Sequence, residues 1–505
     1  MPEVAVMIMA RLFLIVLIAS SFLPGQSRQD AKALSDEAHQ ALASGHYPQA
    51  IGLYQKLIKL YPNVPGLKMN LGMAYYLSGD YQKAVAPLAA AAGSGQPDLI
   101  PASMFLGSSY VLTGQPAKAV RVLERYLKHK PDDSRAREAL GDAFRDLGRR
   151  REAAKQYRKL VELDASSTKG WYELGKAYEA LAGQAFDTLE QRAPDSAYVL
   201  ALIADARVVR QQYRSAFYFY RKALQANPRM RGIHVALSRV YRATGHEDWA
   251  AVEEQKETAL GLPDCQKEKI VCDFLEGRML EVAQAAKKMA TPEGLYWVSQ
   301  VYNQLAVQAF ERLSAFPDSL EWRQLRAEVH ENQGDYLEAA KEWRKVLEAA
   351  PRHPLARRGL ALSLFLAKDH QAAKAVIDEL LRQEPQSSQW NYLKGEIFLA
   401  QEKADEALPF LLKAVRKEPD FLPAHASLGR TYLALGQPAK AIPHLERALP
   451  SDSDGNLHYQ LARACQTMGD TTGARAALQK YQEIQRKNRQ ENARLEQEAE
   501  IRAPE

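Results

Sequence analysis

Small and apolar residues recur along this chain with a period of 34 residues. One copy reads PAHASLGRTYLALGQPAKAIPHLERAL, and its fixed positions are Leu428, Gly429, Tyr432, Gly436, Ala441, Leu445 and Ala448. The same pattern returns at Leu71, Gly72, Tyr75, Gly79, Ala84, Leu88 and Ala91, and again at Leu106, Gly107, Tyr110, Gly114, Ala119, Leu123 and Pro131. Apolar positions three and four residues apart predict two helices per repeat and an all-α protein.

The pattern also predicts how the two helices of a repeat pack. Small residues stand at the eighth repeat position: Gly72, Gly107, Gly141, Gly175, Ala204, Ala361, Gly395 and Gly429. The second helix carries its own small residue: Ala84, Ala119, Ala153, Ala216, Ala339, Ala373, Ala407 and Ala441. Small residues on both sides let the helices approach closely as an antiparallel pair, so Gly175→Leu is expected to overpack it.

One copy supplies the signature that identifies the repeat. Trp171, Leu174, Gly175 and Tyr178 give the spacing W-x2-L-G-x2-Y, which resembles the opening of a tetratricopeptide repeat (TPR). The resemblance extends over nearly the whole chain after the N-terminus. It implies an α-solenoid, a right-handed superhelix of helix-turn-helix repeats in which each repeat buries its apolar face against its neighbours.

Two stretches interrupt the repeats at matching places. The sequences LAGQAF after Tyr178 and LAVQAF after Tyr302 both lead to Pro-Asp-Ser. Each interruption is expected to hold an atypical second helix, so we predict one irregular module present in two copies. The predicted segments are 1–27 (signal peptide or anchor), 31–167 (N-terminal array), 168–264 and 293–387 (irregular modules), 265–292 (helical joint), 388–488 (C-terminal array) and 489–505 (charged C-terminal helix or tail).

The N-terminus carries an apolar run suited to export. Leu12 to Leu23 follow Arg11 directly, and small residues at Gly25 and Ser27 permit cleavage. A dozen apolar residues are short for a membrane span and typical of a signal peptide, with an uncleaved N-terminal anchor as the alternative. Both interpretations place the repeats outside the cytosol, so we expect a periplasmic or secreted protein.

Composition adds little chemistry to this picture. The formal charge of +6 comes from 67 basic and 61 acidic residues that are interspersed, so nothing indicates nucleic-acid binding. Three cysteines are present, and Cys465 stands where a core tyrosine is usual. On one unbroken helix Cys265 and Cys272 would lie too far apart to form a disulfide, but Pro263 is expected to interrupt the helix before them. Either a disulfide between them or two unpaired thiols is therefore compatible with the sequence.

The sequence offers no catalytic pattern. His330-Glu331 and His246-Glu247 begin like a zinc-protease motif, yet no second histidine follows four residues later. P-loop, GxSxG and CxxC motifs are missing from the sequence as well. We therefore expect a non-enzymatic protein with no cofactor, no metal site, no small-molecule substrate and no membrane contact beyond the N-terminal segment.

The resemblance implies a binding surface. In TPR arrays repeat positions 2, 5, 9 and 12 of the first helices line a concave groove. The groove residues that this implies are Tyr172, Lys176, Arg239, Arg242, Tyr392, Arg430, Tyr459 and Arg463. A second candidate is Tyr218, expected on the convex side, for which packing against the preceding irregular helix is the alternative explanation.

These observations predict a protein-protein interaction scaffold of the exported bacterial type. Its groove would bind a peptide or protein partner without making or breaking bonds. The alternative is an accessory subunit of an envelope enzyme or of a secretion or polysaccharide assembly machine. Loosely held peptides in the purified protein would favour the first hypothesis, and one stoichiometric partner would favour the second.

Overall fold

The repeats form an all-α solenoid in a computed structural model that describes residues 25–289 and 291–504. The predicted signal peptide lies almost entirely outside these residues. The described chain forms 26 α-helices. Those of the first array are α1 Gly25–Ala43, α2 Tyr47–Leu60, α3 Pro65–Leu77, α4 Tyr81–Ala92, α5 Ile100–Leu112, α6 Pro116–His129, α7 Ser134–Asp146 and α8 Arg150–Leu163.

The middle of the chain contains two unusually long helices and two short ones. Its helices are α9 Thr168–Arg192, α10 Ala197–Val209, α11 Tyr213–Ala226, α12 Ile233–Ala243, α13 Glu247–Ala259, α14 Lys269–Leu275, α15 Met279–Lys288 and α16 Pro292–Ser314. The last part consists of α17 Leu320–Gln333, α18 Tyr336–Ala349, α19 Pro354–Leu366, α20 His370–Gln383, α21 Ser388–Ala400, α22 Ala404–Lys417, α23 Leu422–Ala434, α24 Pro438–Ala448, α25 Asn456–Thr467 and α26 Thr471–Glu498. The fold class predicted from the repeat pattern is thereby confirmed.

Close packing at the eighth repeat position follows the predicted rule. A Cβ added to Gly72 would lie 2.4 Å from Leu88, and one added to Gly429 would lie 2.4 Å from Leu445. In both repeats the contact joins the middle of the first helix to the second helix of the same repeat. A larger side chain at this position would have to push the two helices apart.

The turn inside an ordinary repeat depends on a left-handed residue. Gly79 has φ +85°, and the N–H of the next residue, Asp80, donates to the carbonyl of Tyr75 at 2.8 Å. This bond closes the end of α3, so the chain can reverse into α4. Glycine is favoured there because it adopts positive φ without a steric penalty.

The two irregular modules lack this turn, which corrects one expectation. Ala182 and Ala306 stand where ordinary repeats place the turn glycine, and Gly183, which follows the first of them, lies within the helix. The predicted atypical second helices are therefore not separate elements. Each continues the first helix, giving α9 with 25 residues and α16 with 23.

The described chain divides into two compact units. One contains the residues up to Ala185 together with Met279–Ala283 and Val298–Ala315. In this unit the first part of α9 packs on the last part of α16, where Leu174, Tyr178, Ala306 and Ala309 belong to one buried cluster. The other unit contains Phe186–Arg278, Gln284–Trp297 and the residues from Phe316 onward.

Candidate binding surfaces

The predicted groove residues differ in how accessible they are. Arg239, Arg242, Arg430, Tyr459 and Arg463 are exposed, whereas Lys176 and Tyr392 are partly covered. Tyr172 is only 8% exposed, so its ring does not offer the contact surface that its repeat position implied. Neighbouring residues of the same helix, Leu174 and Tyr178, belong to a core that also includes residues of α8 and α16.

A cluster of charged side chains in the first unit lies on α7 and α9, two first helices of the kind that lines the predicted groove. Lys169 Nζ lies 2.8 Å from Asp142 and 2.7 Å from Glu138. Arg145 contacts Asp142 at 3.0 Å and Glu173 at 2.7 Å. Because positive and negative groups alternate in space, this part of α7 and α9 is largely neutralised within the molecule.

Burial and pairing shift the pKa values of this cluster. Burial raises the pKa of the Glu173 carboxyl, although Arg145 opposes that shift. Burial alone would lower the pKa of Lys169, but the Asp142 and Glu138 carboxylates raise it above its ordinary value. Lys169 therefore stays charged at neutral pH. Its ion pairs, with that between Arg145 and Glu173, connect the consecutive first helices α7 and α9. Lys169 and Glu173 were not predicted as site residues, because their charged partners lie in a neighbouring repeat.

A related arrangement engages Arg430 in the second unit. Its guanidinium donates to Glu396 at 2.6 Å and to the Ser427 hydroxyl at 3.0 Å, while that hydroxyl donates to Glu396 at 2.5 Å. Tyr392 lies beside them with its ring 5.2 Å from that of Phe421. Burial, with a contribution from Glu396, raises the pKa of Tyr392 to about 12.

The remaining arginines differ in their partners. Arg242 pairs with Glu254 at 2.5 Å and with Glu247 at 3.4 Å. Among the residues that the structure describes, neither Arg239 nor Arg463 forms an ion pair. Arg463 follows the exposed Tyr459 by one helical turn of α25, so the two side chains share a face. This face combines an accessible aromatic ring with an accessible guanidinium.

The aromatic run of α11 is divided between buried and partly covered residues. Phe217 and Tyr220 are buried, and Tyr218 is partly covered. The Tyr218 ring makes an edge contact with Phe219 at 5.0 Å, and Lys222 lies over it at 5.6 Å. Tyr218 is therefore only partly exposed, and its role as a partner contact stays a prediction.

The structure joins Cys265 and Cys272 in a disulfide, with their Cα atoms 5.7 Å apart. Cys272 belongs to α14, whereas Cys265 precedes that helix. The non-helical residues after Gly261 bring the two cysteines within bridging distance, which a continuous helix would not allow. Cys465 is a buried free thiol.

A cavity of about 210 Å³ lies between α11, α12 and α13. Its apolar lining includes Phe217, Leu224 and Leu237, and Ala503 and Pro504 of the segment after α26 also line it. The Tyr241 hydroxyl donates to the carbonyl of Arg502 at 2.6 Å. This site was not predicted from the sequence, because its two halves lie far apart in the chain.

A buried carboxylate forms the polar side of this cavity. Glu253 is 3% exposed and lies 2.5 Å from His234 Nδ1 and 3.0 Å from Lys256 Nζ. Although burial acts to raise it, hydrogen bonds from His234 and Lys256 hold the pKa of the Glu253 carboxyl below its ordinary value. The carboxylate is therefore ionised at neutral pH, with both of its partners in place.

Two further structural properties bear on function. None of the helices in residues 25–289 and 291–504 is long and apolar enough to cross a membrane. Over the same residues, no group of three or more His, Cys, Asp or Glu side chains is placed to hold a metal ion.

Several solved structures resemble parts of this chain. MamA of Desulfovibrio magneticus RS-1 is 26% identical over 29% of this chain and 82% of its own, with a TM-score of 0.28. A thermophilic TPR protein of Thermus thermophilus is 21% identical over 36% of this chain and 100% of its own, with a TM-score of 0.29. YrrB, described as a TPR protein with an unusual peptide-binding site, is 18% identical over 35% and 92%, with a TM-score of 0.30.

Family models give the assignment. No curated protein matches the chain in sequence. Three tetratricopeptide-repeat models match, the first over residues 35–98, 106–168 and 139–183, the second over 330–397 and 398–460, and the third over 455–488. Together these matches cover more than half of the 505 residues. The chain therefore belongs to the tetratricopeptide repeat family.

Proposed function

We propose that this protein is a non-catalytic scaffold of the cell envelope that binds a peptide or protein partner on the first-helix face of its repeats. Membership of the TPR family supports a role in protein interaction. The observation that carries the proposal is the face of α25, where Tyr459 is 44% exposed and Arg463 is exposed without an ion pair in the described residues. Tyrosine and arginine are the side chains that most often dominate binding energy at interfaces.

Export is the second part of the proposal. The apolar run Leu12 to Leu23 behind Arg11 supports it, because such a run is typical of a signal peptide. The Cys265–Cys272 disulfide also supports it, since disulfides persist mainly in oxidising compartments. Fractionation of cells that express the full chain tests this part, and recovery only in the cytosol would refute it.

Site-specific cross-linking in intact cells tests the binding face. A photoreactive amino acid replaces Arg463 in one strain and Lys417 in a control strain, because Lys417 is an exposed residue at the end of α22, a second helix. We expect a partner to be captured from position 463 and not from position 417. If neither position captures anything larger than the monomer, the scaffold proposal fails.

A further inference from the structure

The segment after α26 returns to an earlier part of the same compact unit. Near the end of α26, Glu498 lies 3.5 Å from Lys222 of α11. Residues 499–504 then continue without helical structure, and Ala503 and Pro504 reach the cavity between α11, α12 and α13. We call residues 499–504 the distal segment.

The distal segment is held partly through its backbone. The carbonyl of Arg502 accepts the hydrogen bond from Tyr241, a buried residue of α12. The Arg502 side chain is directed elsewhere, because its guanidinium donates to the carbonyl of Gln497 at 2.8 Å. Recognition of a backbone carbonyl does not depend on the identity of the side chain, so other extended peptides can make the same bond.

The polar and apolar parts of the cavity are both preformed. Tyr241 packs edge-on against Phe217 at 5.7 Å and against Trp249 at the same distance, which fixes the direction of its hydroxyl. Glu253 is held by His234 and Lys256. A preformed pocket that combines apolar surface with placed polar groups is the usual form of a binding site, because little ordering is required when the ligand enters.

The distal segment fills this pocket incompletely. The side chains that it offers are those of Ala503 and Pro504, and about 210 Å³ remains beside them. The cavity is partly open to solvent, and Phe217, Leu224 and Leu237 contribute apolar surface to it. An apolar side chain that covers this surface gains free energy by removing it from water. Ala503 lines the cavity but is itself exposed, so the space beside it is free for a larger side chain. A ligand with a larger apolar side chain at this position would cover apolar surface that the distal segment leaves in contact with solvent.

We propose that the cavity between α11, α12 and α13 is a second peptide-binding site, which the distal segment occupies as a built-in competitor. Its partner is an extended peptide that carries a large apolar residue directly before a proline. The site is independent of the α25 face, so this inference does not rest on the proposed function.

Tethering sets the size of the expected competition. A covalently linked segment acts at an effective concentration in the millimolar range when its linker is short. A free peptide must displace it. The apparent affinity of the peptide is therefore its intrinsic affinity multiplied by the fraction of molecules in which the pocket is open. Removal of the distal segment is therefore expected to tighten peptide binding at least tenfold.

Fluorescence anisotropy with two labelled peptides tests the inference. The first probe is AEIRAPE, the sequence of residues 499–505, and the second is the same peptide with the change Ala503→Leu. Both are titrated with the full chain and with a chain that lacks residues 499–505. We expect at least tenfold tighter binding to the shortened chain, and we expect the leucine peptide to bind several-fold more tightly than the native one.

A pair of tyrosine variants locates the binding on the protein. In the shortened chain, Tyr241→Phe removes the hydroxyl that donates to the peptide carbonyl and should weaken both probes several-fold. Tyr336→Phe is the matched control, because Tyr336 does not line the cavity, and its affinities should match those of the shortened chain. Circular dichroism establishes that both variants are folded.

The peptide substitution keeps the test decisive even if Tyr241→Phe unfolds, since it leaves the protein unchanged. Absence of saturable binding to the shortened chain would overturn the inference. Equal affinities for the full and shortened chains, or weaker binding of the leucine peptide, would also overturn it.

Discussion

Asp452 shows how one buried side chain supports a repeat. Its carboxylate accepts hydrogen bonds from the backbone N–H of Leu457 at 3.1 Å and from that of His458 at 2.9 Å. His458 Nδ1 lies 2.6 Å from the same carboxylate. These bonds satisfy backbone donors at the start of α25, which Gly455 cannot cap with a side chain. A single residue outside the helix therefore supports the N-terminus of the helix that presents Tyr459 and Arg463.

The pKa of Asp452 makes this contribution dependent on pH. Burial acts to raise it, but the N–H groups of His458 and Leu457 and the His458 ring lower it below its ordinary value. A carboxyl with a lowered pKa in the folded state stabilises the protein above its unfolded pKa of about 3.9. That stabilisation is lost as the pH falls through the folded pKa.

Asp452→Asn is therefore expected to destabilise the protein at neutral pH by about 1 kcal/mol, a typical value for a lost cap. Asparagine mimics the protonated acid, so the difference should shrink below about pH 4. Thermal unfolding followed between pH 3 and 7 measures it, with Asp132→Asn as the control because Asp132 is exposed. A difference that grows towards low pH would contradict this account.

At the scale of helices, α9 and α16 depart most from the repeat. A Cβ on Gly175 would lie 2.2 Å from the ring of Phe310, so the close approach at the eighth position is made with α16. Tyr178 and Tyr302 stack nearby, with ring centroids 5.7 Å apart. The last part of α16, from the other irregular module, thus packs where an ordinary repeat would use its own second helix.

Gly175→Leu should destabilise the protein by about 1–3 kcal/mol, because the new side chain overlaps a ring that is held by its neighbours. Gly183→Leu is the matched control on the same helix, since nothing lies within 4 Å of a Cβ at that position. Chemical denaturation measures both variants. Equal stability of the two would show that Gly175 is not the point of close contact.

Helix positions were predictable to a large extent, whereas helix partners were not. The first helices α3, α5, α7 and α10 begin at residues 65, 100, 134 and 197, where the repeat pattern also starts a copy. The continuation of α9 and α16 through Ala182 and Ala306 was not predicted, although glycine is replaced at both positions. The contact of Gly175 with Phe310 was not readable, since the pattern shows which face is buried and not which segment buries it.

At the scale of the whole molecule, the disulfide stabilises a region outside the regular repeats. Cys265 and Cys272 enclose a short loop next to the short helices α14 and α15. In a repeat protein each part is stabilised mainly by its neighbours, so a local constraint has local effects. The bridge is therefore expected to stabilise this segment rather than the entire chain.

The Cys265→Ser, Cys272→Ser variant should exchange amide hydrogens faster within residues 265–289. The free energy of opening of this segment is expected to fall by on the order of 2 kcal/mol, the value for a short disulfide loop. Protection in α3 and α4 should not change. Comparable losses in both regions would contradict a local role.

Thiol counting tests the bridge itself. The three cysteines include one free thiol, Cys465, whose pKa is raised by burial. The denatured chain should react with one equivalent of thiol reagent before reduction and with three after it. Three equivalents without reduction would show that the bridge is not formed.

The repeat length, the helices of the ordinary repeats and the residues that pack inside those helix pairs could be predicted from sequence alone, because they depend on spacings of a few residues. Three contacts became visible only in the folded chain: Gly175 against Phe310, Lys169 with Asp142, and the distal segment against Tyr241. The physical reason is that stacked repeats present similar apolar and charged faces. Which faces meet depends on the free energy of the assembled chain, and local sequence does not specify it.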